Sequence, residues 1–150
     1  MAKVLLVEDD EDKREQIINF INKFDDYDLI EVRSYNSAVK AIRSSFFDLI
    51  LLDMTLPTFD VNVNESGGRT QAFGGELILA EMDRKNISSK VIVITQFDLF
   101  GEGEEEINLE NLDQRLKLQF NNYLGAIQYS VSYNSWQEIL KRKIQKINLL

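Results

Sequence analysis

The sequence predicts an α/β fold in which five parallel strands form a doubly wound sheet between two layers of helices. Short apolar segments alternate five times with stretches of helical periodicity, as consecutive βα units require. Three of these segments are apolar throughout, which is typical of parallel strands that are buried on both faces. The chain has 150 residues, of which 44% are hydrophobic and one is proline, so it is long enough to bury one core.

The predicted strands are short segments rich in Leu, Ile and Val. In chain order they cover residues 3–7, 29–32, 49–52, 91–94 and 123–129, the last with the weakest pattern. The predicted helices have apolar residues at intervals of three and four. They cover residues 11–24, 36–44, 76–85 and 108–121, and a fifth begins at Ser135. Because strands and helices alternate, the crossovers between parallel strands are expected to be right-handed.

Two of the helices carry signals at their first residues. Asp10 precedes the first helix and has the type and position of an N-cap, and the acidic residues after it suit the positive end of a helix dipole. Ser135 and Glu138 have the spacing of a capping box, which predicts that Ser135 is the N-cap of the fifth helix.

Two connections are longer than the loops that usually join strands and helices in α/β folds. Residues 58–75 join the third strand to the third helix and contain two Gly pairs. Residues 97–106 lie between the fourth and fifth strands and are rich in glutamate. Long connections in compact domains are often functional. No internal repeat or linker divides the sequence, which predicts one domain over residues 1–150.

The composition excludes several classes of chemistry. The chain has no Cys and no His, so disulfides, thiolate catalysis, imidazole bases and most zinc sites are excluded. It has 17 basic and 25 acidic side chains and a net charge of −8, which argues against nucleic acid as a partner. No signal peptide and no apolar segment of about 18 residues occurs, so we expect a cytoplasmic protein that does not bind membranes.

Polar side chains follow the buried strands at the point where each strand ends. Glu8 and Asp9 follow the first strand, Asp53 follows the third, and Thr95 follows the fourth. The carboxyl ends of parallel strands share one edge of the sheet, where ligands bind, so we expect these four residues to share one pocket. Carboxylates this close repel one another, and a bound Mg²⁺ with oxygen ligands would relieve the repulsion.

On these residues the chain resembles the receiver domain of two-component response regulators. The resemblance rests on three segments, VLLVEDDEDKREQI, DLILLDMTLP and KVIVITQFD, and within the second Asp53 is followed four residues later by Pro57. It covers residues 1–57 and 88–96 well and the second half of the chain poorly. It implies the flavodoxin-like receiver fold and a stand-alone signalling module rather than an enzyme, with self-phosphatase activity left open.

The resemblance also implies a role for each polar residue. Glu8, Asp9 and Asp53 would bind Mg²⁺ together with the backbone carbonyl of Thr55. Asp53 would accept a phosphoryl group, and the Thr95 hydroxyl would bond to a phosphoryl oxygen. The implied partners are a histidine kinase or kinase-like ATPase, which donates the phosphoryl group, and a downstream protein that receives the signal.

The chain departs from the receiver pattern at the end of the fifth strand. Receiver domains have a lysine there, whereas this chain has Tyr129, and the position of the receiver's switch aromatic falls on Ala126. Arg69, in the long connection after Asp53, is a candidate for the missing cation.

Three functions remain as hypotheses from the sequence. The main one is phosphoryl acceptance on Asp53, because the acidic residues of the pocket are all present. The alternative is a pseudo-receiver that acts as a binding adaptor without phosphorylation, which the missing lysine favours. An aspartate-nucleophile phosphohydrolase of the haloacid dehalogenase type fits less well, because it needs an acid two residues after the nucleophile and position 55 is threonine.

Overall fold

The computed structural model describes residues 1–24, 26–60 and 68–149. Five parallel strands form the central sheet in these residues. They are β1 (Lys3–Val7), β2 (Asp28–Val32), β3 (Leu49–Leu52), β4 (Lys90–Thr95) and β5 (Tyr123–Gln128). Their order across the sheet is β2-β1-β3-β4-β5, with every neighbouring pair parallel. The predicted doubly wound sheet is therefore confirmed, and its strand order reverses direction at β1.

Five helices cover the two faces of the sheet. They are α1 (Glu11–Ile21), α2 (Tyr35–Ser44), α3 (Gly74–Arg84), α4 (Leu109–Gln119) and α5 (Ser135–Lys146). Residues of α1 and α5 pack on one face, and residues of α2, α3 and α4 pack on the other. Successive residues of β1 alternate between these two cores, as the pleat of a buried strand requires. None of the helices among the described residues combines the length and apolarity needed to cross a bilayer.

The helix termini confirm one predicted cap and contradict another. Asp10 is the N-cap of α1, and its side chain accepts a hydrogen bond of 3.2 Å from the Lys13 backbone N–H. The capping box of Ser135 and Glu138 was predicted wrongly, because α5 takes Asn134 as its N-cap and has no side-chain cap bond. Asn134, with φ −99° and ψ 12°, is the non-helical residue before the helix, and Ser135 is already the first residue of α5.

Each of the two long connections contains a short antiparallel ladder. After β3, Leu56–Pro57 pairs with Thr70–Gln71, while residues 61–67 of the same connection lie outside the described residues. After β4, Leu99–Phe100 pairs with Ile107–Asn108 around a turn of 3₁₀ helix at Gly103–Glu105. The segment 97–106, which the sequence pattern indicated as a loop, is therefore most of a small hairpin.

The start of α3 packs directly behind the end of β3. The backbone N–H of Gly75 donates to the Met54 carbonyl at 2.9 Å. A Cβ atom at Gly75 would come within 2.8 Å of the Asp53 carbonyl oxygen, so only glycine permits this approach. The peptide that carries Asp53 is thus held from one side by β1 and from the other by α3.

A single carboxylate joins α4 to β5. The hydroxyl of Tyr123 donates to Asp113 Oδ1 at 2.5 Å, and the backbone N–H of Ala126 donates to the same oxygen at 2.9 Å. The Lys117 ammonium lies 3.1 Å from Asp113 Oδ2. Burial and the bond to Asp113 together raise the pKa of Tyr123, so its hydroxyl stays protonated and donates.

We expect Asp113→Ala to lower the free energy of unfolding by about 1–3 kcal/mol, because it leaves the Tyr123 hydroxyl and the Ala126 N–H without their acceptor. Urea unfolding followed by circular dichroism measures the change. Asp83→Ala, at an exposed position of α3, is the matched control and should alter stability by less than about 0.5 kcal/mol. Equal losses in the two variants would contradict the role given to Asp113.

Candidate functional site

Three polar residues lie buried together where β1, β3 and β4 end. Glu8 and Asp53 directly follow their strands, and their backbone N–H groups continue the sheet by donating to Val32 and Val7 carbonyls at 3.1 and 3.0 Å. Thr95 is the last residue of β4. Glu8, Asp53 and Thr95 are only 2%, 6% and 0% exposed. The sheet therefore brings three of the four predicted pocket residues to its carboxyl edge in a buried setting.

Lys13 of α1 supplies the positive charge of this site. Its Nζ lies 2.5 Å from Glu8 Oε1 and 3.4 Å from Asp53 Oδ1, and it donates to the Ile94 carbonyl at 2.7 Å. The side chain is completely buried. An ammonium group has three donors and no acceptor, and the structure offers it three oxygens, from the residues that follow β1 and β3 and from a carbonyl within β4. The two carboxylates therefore share the single positive charge of this ammonium.

No sequence motif assigned a role to Lys13, but its spacing carried a signal. Lys13, Ile17 and Ile21 follow one another at intervals of four, so they share one stripe of α1. Ile17 and Ile21 are both buried against the sheet. A lysine on the apolar stripe of a helix is placed to reach a buried acid, and Glu8 and Asp53 were the acids available.

Backbone groups hold the two carboxylates in place. Glu8 Oε2 accepts from the Asp10 backbone N–H at 3.0 Å, and Asp53 Oδ1 accepts from the Met54 backbone N–H at 2.8 Å. Burial raises the pKa of both carboxyls, because their charged forms lose hydration, and the Lys13 ammonium partly opposes this rise. The pair thus depends on a nearby cation to stay ionised.

The donor set at this point suits a hard cation. Carboxylate oxygens from Glu8 and Asp53 converge on one position, and Mg²⁺ takes oxygen ligands of this kind. In this structure the position is held by the Lys13 ammonium. Asp9 is exposed, and the described parts of the chain contain no group of three or more acidic, His or Cys side chains that could hold a metal ion. The Mg²⁺ role of Asp9 remains a prediction.

The remaining predicted site residues have other contacts. The Thr55 hydroxyl donates to the Ala72 carbonyl at 3.2 Å, and the role of the Thr55 carbonyl remains a prediction. Thr95 Oγ1 accepts from the Phe97 backbone N–H at 3.2 Å, a bond that does not use the hydroxyl hydrogen. Arg69 is exposed, and its carbonyl accepts bonds from the N–H and the hydroxyl of Thr58. Its contact with a phosphoryl group also remains a prediction.

Tyr129 stands beside the site at the end of β5. Its backbone N–H donates to the Thr95 carbonyl at 2.7 Å, and its ring centroid lies 5.9 Å from Lys13 Nζ. The same ring also packs on Trp136, with ring centroids 5.2 Å apart. The end of β5 therefore places an aromatic ring, and no positive charge, beside the Lys13 ammonium.

The chain is similar to known proteins along most of its length. Residues 4–114 match the family model of the response regulator receiver domain. The uncharacterized protein y4jR of Sinorhizobium fredii is 30% identical over 143 residues, which cover 93% of this chain and 94% of that protein. The Detocs response regulatory protein DtcB of Enterobacter cloacae is 27% identical over 149 residues, which cover 97% of this chain and 99% of that protein.

A solved structure has the same fold. The crystal structure of the response regulator protein TrrA from Thermotoga maritima, in complex with Mg²⁺ and BeF, matches with a TM-score of 0.62. The match covers 98% of this chain and 99% of that chain at 20% sequence identity, so it shows the fold alone. The family model ends before β5, the strand at which the sequence departs from the receiver pattern.

We expect Lys13→Met to destabilise the fold by about 3–5 kcal/mol at pH 8, because it leaves two buried carboxylates without their cation. The loss should be smaller at pH 5. The raised pKa values of Glu8 and Asp53 let the folded variant bind protons that the unfolded chain, with carboxyl pKa values of about 4, does not yet bind. Stability of the variant, relative to the unsubstituted protein, therefore rises as pH falls.

Urea unfolding at the two pH values measures this difference. Lys40→Met, at an exposed position of α2, is the matched control and should show a small change that does not depend on pH. A loss for Lys13→Met that is equal at both pH values would contradict the electrostatic explanation.

Proposed function

Because this chain belongs to the receiver domain family of response regulators, we propose that Asp53 accepts a phosphoryl group in a Mg²⁺-dependent reaction. The observation that carries the proposal is the placement of Asp53, a buried carboxylate at the carboxyl edge of the sheet beside a second carboxylate and one ammonium. Receiver domains are signalling modules, so the reaction serves to change what the protein binds. One receiver domain over residues 1–150 is part of the proposal.

The surroundings of Asp53 suit phosphoryl acceptance. Transfer of a phosphoryl group proceeds through a loose transition state that needs positioning and charge neutralisation more than covalent assistance. The Met54 N–H orients the Asp53 carboxylate, and the close packing of Gly75 behind the same peptide limits its movement. The carboxylate is thus held ready as the nucleophile with little reorganisation required.

The proposed metal ligands are Glu8, Asp9, Asp53 and the Thr55 carbonyl. Mg²⁺ bound there would neutralise charge on the phosphoryl oxygens. Two of these carboxylates already converge on one cation position, and the similar protein TrrA was crystallised with Mg²⁺. Asp9 is exposed and directly follows Glu8 in the chain, so it is the most solvent-accessible of the three proposed carboxylate ligands.

Thr95 is proposed to donate its hydroxyl hydrogen to a phosphoryl oxygen. Its Oγ1 already accepts the Phe97 N–H, and that residue begins the segment leading to the hairpin after β4. A movement of the Thr95 hydroxyl would therefore break or shift its hydrogen bond with the Phe97 N–H and so move this segment. Phosphorylation would act by shifting the population between two arrangements of this surface.

The proposed phosphodonor is a histidine kinase or a kinase-like ATPase. These 150 residues contain no His, so a phosphohistidine donor lies outside them. The proposed recipient of the signal is a downstream protein partner. The relative DtcB carries the description of a response regulatory protein, which supports a role in signalling.

One structural observation favours the alternative, a binding adaptor that works without phosphorylation. The Lys13 ammonium already pairs with Glu8 and Asp53, so a side chain of this chain offsets part of the negative charge of the pocket with neither metal nor phosphoryl group bound. In such an adaptor, Asp53→Asn would leave partner binding unchanged.

We expect incubation with acetyl phosphate and Mg²⁺ to add one phosphoryl group to the protein, as read by intact mass spectrometry. The adduct should be lost when Mg²⁺ is chelated. Asp53→Asn should abolish it, because an amide oxygen is too weak a nucleophile to form the acyl phosphate.

Asp83→Asn is the matched control, since it makes the same chemical change at an exposed aspartate and should leave labelling intact. Labelling that persists in Asp53→Asn would place the acceptor elsewhere. A folded, Mg²⁺-binding protein that is labelled neither by acetyl phosphate nor by any histidine kinase would favour the adaptor.

A further inference from the structure

Lys13 lies at a position that local rules disfavour. It is the third residue of α1, where a cation opposes the positive end of the helix dipole. Its side chain is also completely buried, which is rare for lysine unless the charge is paired. Two unfavourable features at one residue indicate that the site, rather than the helix, requires the ammonium there.

The ammonium is held at a defined point between three adjacent strands. Its acceptors are Glu8 after β1, Asp53 after β3 and the Ile94 carbonyl within β4. Among the described residues, no other cation is recorded in an ion pair with Asp53. Any group bonded to the Asp53 carboxylate would therefore form within reach of this charge.

The position at which receiver domains carry a lysine is here filled by an aromatic ring. Tyr129 follows β5, and its ring lies 5.9 Å from Lys13 Nζ. The ring and the ammonium thus occupy neighbouring space. The positive charge therefore comes from Lys13 of α1, and the residue after β5, Tyr129, supplies an uncharged ring.

We propose that Lys13 of α1, released from Glu8 when Mg²⁺ binds the carboxylates, provides the cation that contacts the phosphoryl group on Asp53, in place of a lysine at the end of β5. This inference rests on the proposed function. In the transfer, the bond between phosphorus and the donor's leaving group breaks, and a bond between phosphorus and an Asp53 carboxylate oxygen forms. The leaving group departs with the electron pair. The ammonium neither gains nor loses a proton and stabilises the negative phosphoryl oxygens by its charge.

The test removes the positive charge at position 13 and introduces one at position 129, after β5. The variants are Lys13→Met, Lys13→Gln, and Lys13→Met combined with Tyr129→Lys, with Lys40→Met as the control. Each is checked for folding by circular dichroism at the assay pH. Lys13→Gln retains a donor for the Ile94 carbonyl, so it serves if Lys13→Met does not fold.

Three quantities are measured for each variant. They are the initial rate of labelling by acetyl phosphate with Mg²⁺, the Kd of beryllium fluoride with Mg²⁺ followed by fluorine NMR, and the Kd of Mg²⁺ alone from calorimetry. Beryllium fluoride tests contact with a phosphoryl-like group without any covalent step.

Removal of the Lys13 charge should slow labelling and weaken beryllium fluoride binding by about tenfold or more. Binding of Mg²⁺ alone should stay equal or become tighter, because a competing cation has left Glu8 and Asp53. A merely structural role would weaken both ligands together. Tyr129→Lys should restore most of the labelling and the beryllium fluoride binding lost in Lys13→Met.

Distinct results overturn the inference and the proposed function. Normal labelling and beryllium fluoride binding in folded Lys13→Met and Lys13→Gln would overturn the inference alone. So would a folded double variant as impaired as Lys13→Met, or a parallel loss of Mg²⁺ binding. An unsubstituted protein that neither is labelled nor binds beryllium fluoride would overturn the proposed function and, with it, this inference.

Discussion

Two carboxylates buried at the carboxyl edge of the sheet require a cation, and this requirement organises the site. Glu8 and Asp53 lie where hydration is lost, which raises the pKa of each. The Lys13 ammonium meets both and also bonds to the Ile94 carbonyl, so one charge connects β1, β3 and β4. Without it, the edge would hold two like charges in a poorly hydrated space.

The rest of the structure serves to bring that ammonium to its place. The Asp10 side chain caps α1 by accepting the Lys13 backbone N–H. This bond fixes the start of the helix and places Lys13 in its first turn. Ile17 and Ile21 then anchor the same stripe of α1 in the core beside β1 and β3. On the other side, Gly75 allows α3 to pack against the Asp53 peptide. The position of the Lys13 ammonium is thus decided by the packing of α1 and α3 on the sheet.

The fold and part of the site were predictable because their signals are local. The apolar segments predicted a parallel sheet, and Glu8 and Asp53, which follow two of them, predicted the edge of the sheet where the site lies. The short hairpin after β4 escaped prediction, since ladders of two residues such as Leu99–Phe100 have no periodicity to read. The cap at Ser135 was predicted wrongly, because a capping box is also compatible with a helix whose cap is one residue earlier, here Asn134.

The sequence by itself determined the sheet, the strand ends that carry Glu8, Asp53 and Thr95, and the absence of a lysine after the fifth strand. Hydrophobic periodicity and residue identity are sufficient for these. Only the tertiary structure decided that the Lys13 ammonium lies between Glu8 and Asp53 and that Asp9 is exposed. A lysine in an acidic first turn looks solvated until α1 packs on the sheet, because the contacts that bury it come from residues 5, 40 and 81 positions away.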